Sequence, residues 1–259
     1  MNIVILRYCG GPMISVVMGV SRFDEFVPLA VDSVLSQTFS DFELIIVANG
    51  PSSDEVEASL SELYAKEPRL RVIKSRIPQL ACALNIGLDA ARFDYVARMD
   101  ADDICWPDRL EKQFAYMQAH NLDFVGCDLR LIDPKGAILG TRTYPKGDRI
   151  DKLLRYKNCF AHNTIIYRKE LIINAGGYNA GFNSEDYDLW LRLKRFGVKW
   201  ANMDEVLLDY RIHSGASQRK LLGYAEATGL AAREFVLNKS IKNLLAVLYH
   251  FSKSIIRSR

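Results

Sequence analysis

The chain has 259 residues, 49% apolar and 25% charged, with a formal net charge of +3. That is the composition of an ordinary globular protein long enough for a substantial core, which excludes global disorder, and the charge excess is too small to argue for a nucleic-acid partner. Five scattered cysteines (Cys9, Cys82, Cys105, Cys127, Cys159), odd in number and never in Cys-x-x-Cys spacing, speak against a disulfide framework or structural zinc site and fit a reducing cytoplasm.

Met1 to Leu6 is too short for the apolar core of a signal peptide and lacks a basic flank. No run reaches the roughly 18 apolar residues of a membrane span. The expectation is a soluble or peripheral protein. After a lead over residues 1–13, Ile14 to Val20 is a β-branched run that predicts the first strand. Phe26 to Ser36 places Val27, Val31, Val34 and Leu35 at helical spacing, with Asp24 as its cap. Phe42 to Val47 is a second strand, stopped by the turn residues Ala48-Asn49-Gly50-Pro51. Ser52 and Glu55, in capping-box spacing, open the next helix. Leu70 to Lys74 is a third strand, Leu80 to Ala91 a helix, and Tyr95 to Met99 a fourth strand. This alternation over residues 14–103 predicts a parallel sheet with crossover helices. The glycine fingerprints of dinucleotide and P-loop sites are missing from it.

The fourth strand ends in Asp100-Ala101-Asp102-Asp103. Ligands of open α/β sheets bind at the carboxyl ends of strands, and carboxylates this close repel one another unless a cation lies between them. One reading is a hard divalent metal held by oxygen ligands and shared with a phosphorylated substrate. The other is a solvated turn before a helix that starts near Pro107.

The second half is less regular. Pro107 to His120 reads as a helix, Phe124 to Val125 and Arg130 to Ile132 as short strands before a turn at Asp133-Pro134-Lys135-Gly136. Asn163 to Tyr167 reads as a strand and Lys169 to Ala175 as a helix ending at Gly176-Gly177. Glu185 to Phe196 is an amphipathic helix with Ser184 as N-cap, and Val206 to Arg211 a strand. From Ser217 the chain reads as helix to its end. Its last segment carries Lys239, Lys242, Lys253, Arg257 and Arg259 without an acidic residue, and Leu244, Leu245, Leu248, Phe251 and Ile255 at helical spacing. A basic amphipathic helix suits an anionic membrane surface, and packing on its own domain or a partly disordered tail are the other readings.

Taken together, Ile14-Ser-Val-Val-Met-Gly-Val20, Asp32-Ser-Val-Leu-Ser-Gln-Thr-Phe39, Phe42-Glu-Leu-Ile-Ile-Val47 and Asp100-Ala-Asp-Asp103 followed by Pro107 and Arg109-Leu110 resemble the inverting family 2 glycosyltransferases. The resemblance spans about residues 14 to 216. It implies the GT-A fold: a Rossmann-like α/β architecture with a mixed, mostly parallel central sheet flanked by helices. Residues 14–103 would bind the nucleotide sugar and residues 104–216 the acceptor, and residues 217–259 would form a helical appendage. It implies donor contacts at Val20, Ser21, Asn49, Asp54, Asp100, Ala101, Asp102 and Arg211. Asn49 stands where the family more often has Asp, and Gln79 where it usually has Gly. The resemblance implies a divalent metal, Mn2+ or Mg2+, at Asp102 with His213, in the segment Tyr210-Arg211-Ile212-His213.

Ser184-Glu185-Asp186-Tyr187-Asp188 resembles the family's Glu-Asp motif, which makes Asp186 the base and Glu185 its neighbour. Acidic residues in a first helical turn are also favoured by the helix dipole alone. His162 resembles a position near the acceptor. Trp190 is an acceptor-side platform or, by its spacing with Leu189 and Leu193, core. The implied partners are a nucleotide sugar, UDP-linked, and a glycan or lipid-linked acceptor (polyprenyl diphosphate or lipid A core), with the membrane surface met by the C-terminal helix. The implied location is the cytoplasmic face of the inner membrane. The alternatives are a non-catalytic sugar-nucleotide or glycan-binding module and a haloacid dehalogenase-like phosphatase, which also uses Asp-x-Asp at a strand end.

Overall fold

A parallel strand covered on both faces must be apolar along its whole length. In the computed structural model, β1 (Ile14–Val20) is buried at all but one position and β2 (Phe42–Asn49) at every one. The structure describes residues 13–179, 183–213 and 221–257; the lead over residues 1–12, Cys9, Arg259 and the expected helix start at Ser217 lie outside them. Between the first strands run α1 (Phe26–Leu35), α2 (Ser53–Leu63), β3 (Leu70–Ser75) and α3 (Leu80–Ala90), leading to β4 (Tyr95–Met99). The strands lie parallel in the order β3-β2-β1-β4. Asp24 caps α1 as expected, accepting from the Phe26 N–H at 3.1 Å. Ser52 sits at the N-cap of α2 but makes no side-chain cap bond. Helix α3 lies so close to the sheet that a Cβ on Gly87 would stand 2.4 Å from Val17.

The same sheet continues through the second half. After β5 (Ile104–Cys105) and α4 (Arg109–Ala119) come β6 (Phe124–Ile132), β7 (Ile138–Arg142) and α5 (Arg149–Leu153). A 3-10 turn (His162–Thr164), β8 (Ile166–Arg168) and α6 (Lys169–Asn174) follow, then α7 (Glu185–Arg195) and β9 (Trp200–Arg211). Beyond β4 the order is β8-β6-β9-β5, with β7 paired to β6. Strands β1, β2, β3, β4, β6 and β9 run one way, and β5, β7 and β8 the other. One buried cluster joins the sheet to α1, α2 and α4, and a second joins its other face to α3 and α7.

Beyond β5, β7 and α5, which the sequence reading did not predict, four elements differ from it. The two short strands after α4 are one continuous β6, because register shifts between Gly126 and Leu129 break the alternation that would reveal it. Asn163 does not begin a strand: Thr164 bonds the Ala161 carbonyl through both its N–H (3.1 Å) and Oγ1 (2.9 Å), which turns the chain before β8. Strand β9 begins at Trp200, earlier than Val206. The C-terminal segment is two helices, α8 (Leu221–Leu237) and α9 (Ile241–Arg257). The break is capped by Ser240, whose Oγ accepts from the Asn243 N–H at 3.2 Å. No helix among the described residues is long and apolar enough to cross a membrane.

Candidate active site

Strand register brings the first site residues together. Met18 pairs with Met99 and Val20 with Ala48, so the chain leaves β1 at Ser21, β2 at Asn49 and β4 at Asp100 along one sheet edge. There they line a cleft of 880 Å3 with Asp102, His162, Glu185 and Asp186. Residues from strand ends, the 3-10 turn and the first turn of α7 thus face one space.

The Ser-Val-Leu-Ser-Gln-Thr segment clamps the stretch that follows the acidic cluster. Ser33 Oγ accepts from the Cys105 N–H at 3.0 Å, and Gln37 accepts from the Leu110 N–H at 3.0 Å and donates to the Trp106 carbonyl at 2.7 Å. The Thr38 N–H donates to the Pro107 carbonyl at 2.8 Å. Across the stretch, buried Arg109 donates to the Arg98 carbonyl at 2.8 Å, which holds α4 against the end of β4.

Asp100, Asp102 and Asp103 each bring a carboxylate oxygen within 4.8 Å of the others. Burial raises the pKa of Asp100 and, strongly, of Asp103, and the neighbouring carboxylates add to both shifts. Arg98 offsets only part of this charge, and oxygen donors suit a hard cation. The three are not equivalent. Asp103 is fully buried, and its carboxylate accepts from the Arg211 N–H (2.9 Å) and from Asn163. It is a brace between three segments. Asp102 is one-third exposed and meets His213 Nε2 at 2.9 Å, while Asp100 is as exposed but pairs with Arg98.

Beneath the cluster lies Arg98, which is 1% exposed, lines the cleft and pairs with Asp100. Its Nε has no hydrogen-bond partner among the described residues. The sequence reading gave Arg98 no role, although it is the one charge that breaks the apolar run from Tyr95 to Met99. Asn158, also passed over, donates to Asp186 Oδ2 at 2.5 Å and comes from an irregular stretch with no signal.

Burial raises the Asp186 pKa to about 7, assisted by the charge of Glu185 and opposed by the Tyr187 N–H and Asn158. Glu185 is also raised, chiefly by burial. Burial and then the charge of Arg98 push His162 well below the usual histidine range, so it is a neutral ring, 3.2 Å from the Tyr178 hydroxyl.

Other expected site residues lie elsewhere. Val20 is buried in the core. The Asp54 side chain is 80% exposed and pairs with Lys74 at 3.1 Å, away from the cleft. Ala101 packs against the core. The Arg211 guanidinium is spent on backbone, donating to the carbonyls of Asp102 (2.9 Å), Pro134 (3.0 Å) and Asp133 (3.2 Å) while lying over Phe26. It braces the Asp102 turn from below instead of reaching into the cleft. Trp190 is fully buried, edge-on to Phe124 at 4.9 Å, and serves as core and not as a sugar platform.

The profile of Glycosyl transferase family 2 matches residues 15–187. The chain is 43% identical to the O-antigen biosynthesis glycosyltransferase WbnJ of Escherichia coli over 247 residues, covering 95% of this chain and 97% of WbnJ. It is 35% identical to the amylovoran biosynthesis glycosyltransferase AmsE of Erwinia amylovora over 185 residues, 71% of this chain and 70% of that one. Among solved structures it is similar to S. aureus TarS 1–349, with a TM-score of 0.68 at 17% identity over 92% of this chain and 72% of TarS. TarS 1–349 in complex with UDP-GlcNAc gives a TM-score of 0.66 at 13% identity, over 94% of this chain and 81% of that one. The sheet order and these matches establish the GT-A fold, and the family match sets the phosphatase alternative aside. The chain belongs to glycosyl transferase family 2.

Proposed function

We propose that the protein is a metal-dependent inverting glycosyltransferase. It would move a hexose or N-acetylhexosamine from a nucleotide diphosphate sugar, UDP-linked, to a glycan or lipid-linked acceptor in bacterial surface polysaccharide synthesis. The observation that carries this reading is a single cleft holding both the acidic cluster at the end of β4 and Asp186, a carboxylate whose pKa lies at about 7. A group with that pKa is suited to take a proton from a sugar hydroxyl near neutral pH. The acceptor oxygen attacks the anomeric carbon of the donor, its proton passes to Asp186, and the bond to the nucleotide diphosphate breaks with the electron pair leaving on the diphosphate. The nucleotide complexes of TarS and the name of WbnJ support the donor class and the pathway.

The residues at the cluster fit a divalent ion, Mn2+ or Mg2+, held by Asp102 and His213 with Asp100 beside them. When bound, such an ion neutralises charge growing on the leaving diphosphate. Ser21 and Asn49, at the ends of β1 and β2, line the nucleotide side of the cleft. Arg98 keeps Asp100 oriented and supplies fixed positive charge to the floor.

Helix α9 supports a peripheral place at the cytoplasmic face of a membrane. It docks through Ala246 and His250, which are buried, while Leu244, Leu245, Leu248, Phe251, Ile255 and Ile256 are all exposed. An outward apolar arc on a helix whose charged residues are all basic fits a layer that is both apolar and anionic. The buried inner face matches the packed-domain reading of this segment, and the exposed outer face supports the membrane reading. The decisive experiment is a panel of nucleotide sugars scored for metal-dependent hydrolysis and transfer by wild type and Asp186→Asn. Turnover of a nucleotide sugar that requires metal and Asp186 is the expected result. Full activity in the variant, or none with any nucleotide sugar, overturns the reading.

A further inference from the structure

A second pocket opens beside the cleft, between the start of α7 and the two C-terminal helices. Its volume is 230 Å3, below the 300–1,000 Å3 or so of a complete small-molecule site, which is the scale of a subsite. It shares Asn158, Asn183 and Asp186 with the cleft, so Asp186 stands where the two meet. On the far side the pocket reaches Tyr224 of α8 and Lys253 of α9.

Lys253 differs from the other basic residues of its segment. Its Nζ lies 5.6 Å from the ring centroids of both Tyr224 and Tyr249, which hold the side chain in place by cation–π contact. Its neighbours along residues 239–259 include no acidic residue. Its ammonium thus has no acidic partner on its own helix and lines the same pocket as Asp186, on the helix whose opposite face is the exposed apolar arc. Tyr156 and Tyr187 supply aromatic walls, and Asn158, Asn183 and Ser184 supply amide and hydroxyl groups, the mixture that recognises a sugar ring.

We infer that this pocket is the acceptor subsite and takes a glycosyl phosphate, with the sugar between the tyrosines and Asp186 and its anomeric phosphate on Lys253. This deepens the proposed function and rests on its reading of Asp186 as the acceptor base. The arrangement puts the reactive hydroxyl at the mouth of the cleft and the phosphate against α9, the helix that carries the apolar arc. A lipid chain attached through that phosphate would then leave the protein next to the surface that faces the bilayer. Recognition of the phosphate makes the enzyme select an acceptor by its linkage as well as by its sugar.

The test measures calorimetric binding of hexose and N-acetylhexosamine 1-phosphates against the matching free sugars, on the full chain saturated with UDP and Mn2+. The 1-phosphates as a set should bind about tenfold more tightly, the scale of one charge-assisted contact. Lys253→Gln should remove that preference and Lys253→Arg restore it. Lys152→Gln, on exposed α5, should leave it intact. Equal binding of phosphates and free sugars by wild type, or a preference that survives Lys253→Gln, overturns the subsite. Failure of UDP to bind would instead count against the donor reading, and transfer by Asp186→Asn against the base; neither result mimics loss of the phosphate preference.

Discussion

Asn158 donates a hydrogen bond to Asp186 Oδ2 at 2.5 Å, from a segment that would otherwise be an unremarkable connection between α5 and the 3-10 turn. This bond favours the ionised carboxylate, whereas burial and Glu185 oppose it and prevail, leaving the pKa at about 7. Reactivity towards the acceptor should therefore fall about tenfold per pH unit below that value, as the base becomes protonated. Asn158→Ala removes a donor to the charged form, so the acidic limb of the kcat/KM profile should move to higher pH. A limb that stays in place would show that another group titrates.

Asp186→Asn should lower transfer by about 10²- to 10⁴-fold, the range of general-base contributions, and abolish the acidic limb. The stability effect has the opposite sign. A carboxylate with a raised folded pKa favours the fold fully below its unfolded value of 3.8, and that contribution is lost as pH rises to about 7. The variant should therefore match wild type in Tm near pH 4 and exceed it above pH 7. Thermal unfolding across that range is the check.

His213 and Asp102 meet at 2.9 Å across a separation of 111 residues. His213→Ala should raise the Mn2+ concentration needed for half-maximal activity about 10- to 100-fold, with a smaller change at saturating metal. Asp103→Asn should behave differently. Its loss strikes the bonds to Arg211 and Asn163, so it should lower Tm along with activity. A metal titration paired with a melting curve separates the two.

Trp190 is fully buried and packed on Phe124 and Phe160. Trp190→Ala should cost about 3–5 kcal/mol of stability by opening a cavity. Trp190→Phe should keep the acceptor KM within a few-fold, whereas a sugar platform would lose affinity.

Leu248 and Phe251 point outward from α9 at 55% exposure each. Each apolar side chain that enters a lipid layer contributes about 1.5–3 kcal/mol, so Leu248→Glu with Phe251→Glu should weaken binding to anionic vesicles by more than tenfold without changing Tm. Binding should also weaken in salt, because the lysines lose their attraction to the anionic surface. Vesicle flotation that is indifferent to the double substitution would remove α9 as the contact.

Much of the fold was legible. β-branched runs and the turn at Asn49-Gly50 marked β1 to β4 nearly to the residue, because each depends on neighbours within a few positions. The irregular half was less so. β6 was split by its bulge, and β7 escaped notice because its apolar residues Ile138 and Leu139 face solvent. Of the expected site residues, Ser21, Asn49, Asp100, Asp102, His162, Glu185 and Asp186 line the cleft, whereas Val20, Asp54, Ala101, Arg211, Trp190 and His213 do not, although His213 reaches Asp102. Each lies within five positions of a residue that lines the cleft, and proximity in sequence does not set the direction in which a side chain points.

The sequence by itself determined the alternation of strands and helices, the acidic cluster at the end of β4 and the acidic start of α7, since periodicity and turn chemistry are local properties. Tertiary structure alone decided what those residues face. Asp186 with Asn158, Asp103 with Asn163 and Asp103 with Arg211 are pairs separated by 28, 60 and 108 positions, and only the packing of distant segments brings each into contact. It likewise decided that Arg98 is the buried counter-charge and that α9 turns its apolar arc outward, because burial and ionisation depend on what the folded chain packs around a group.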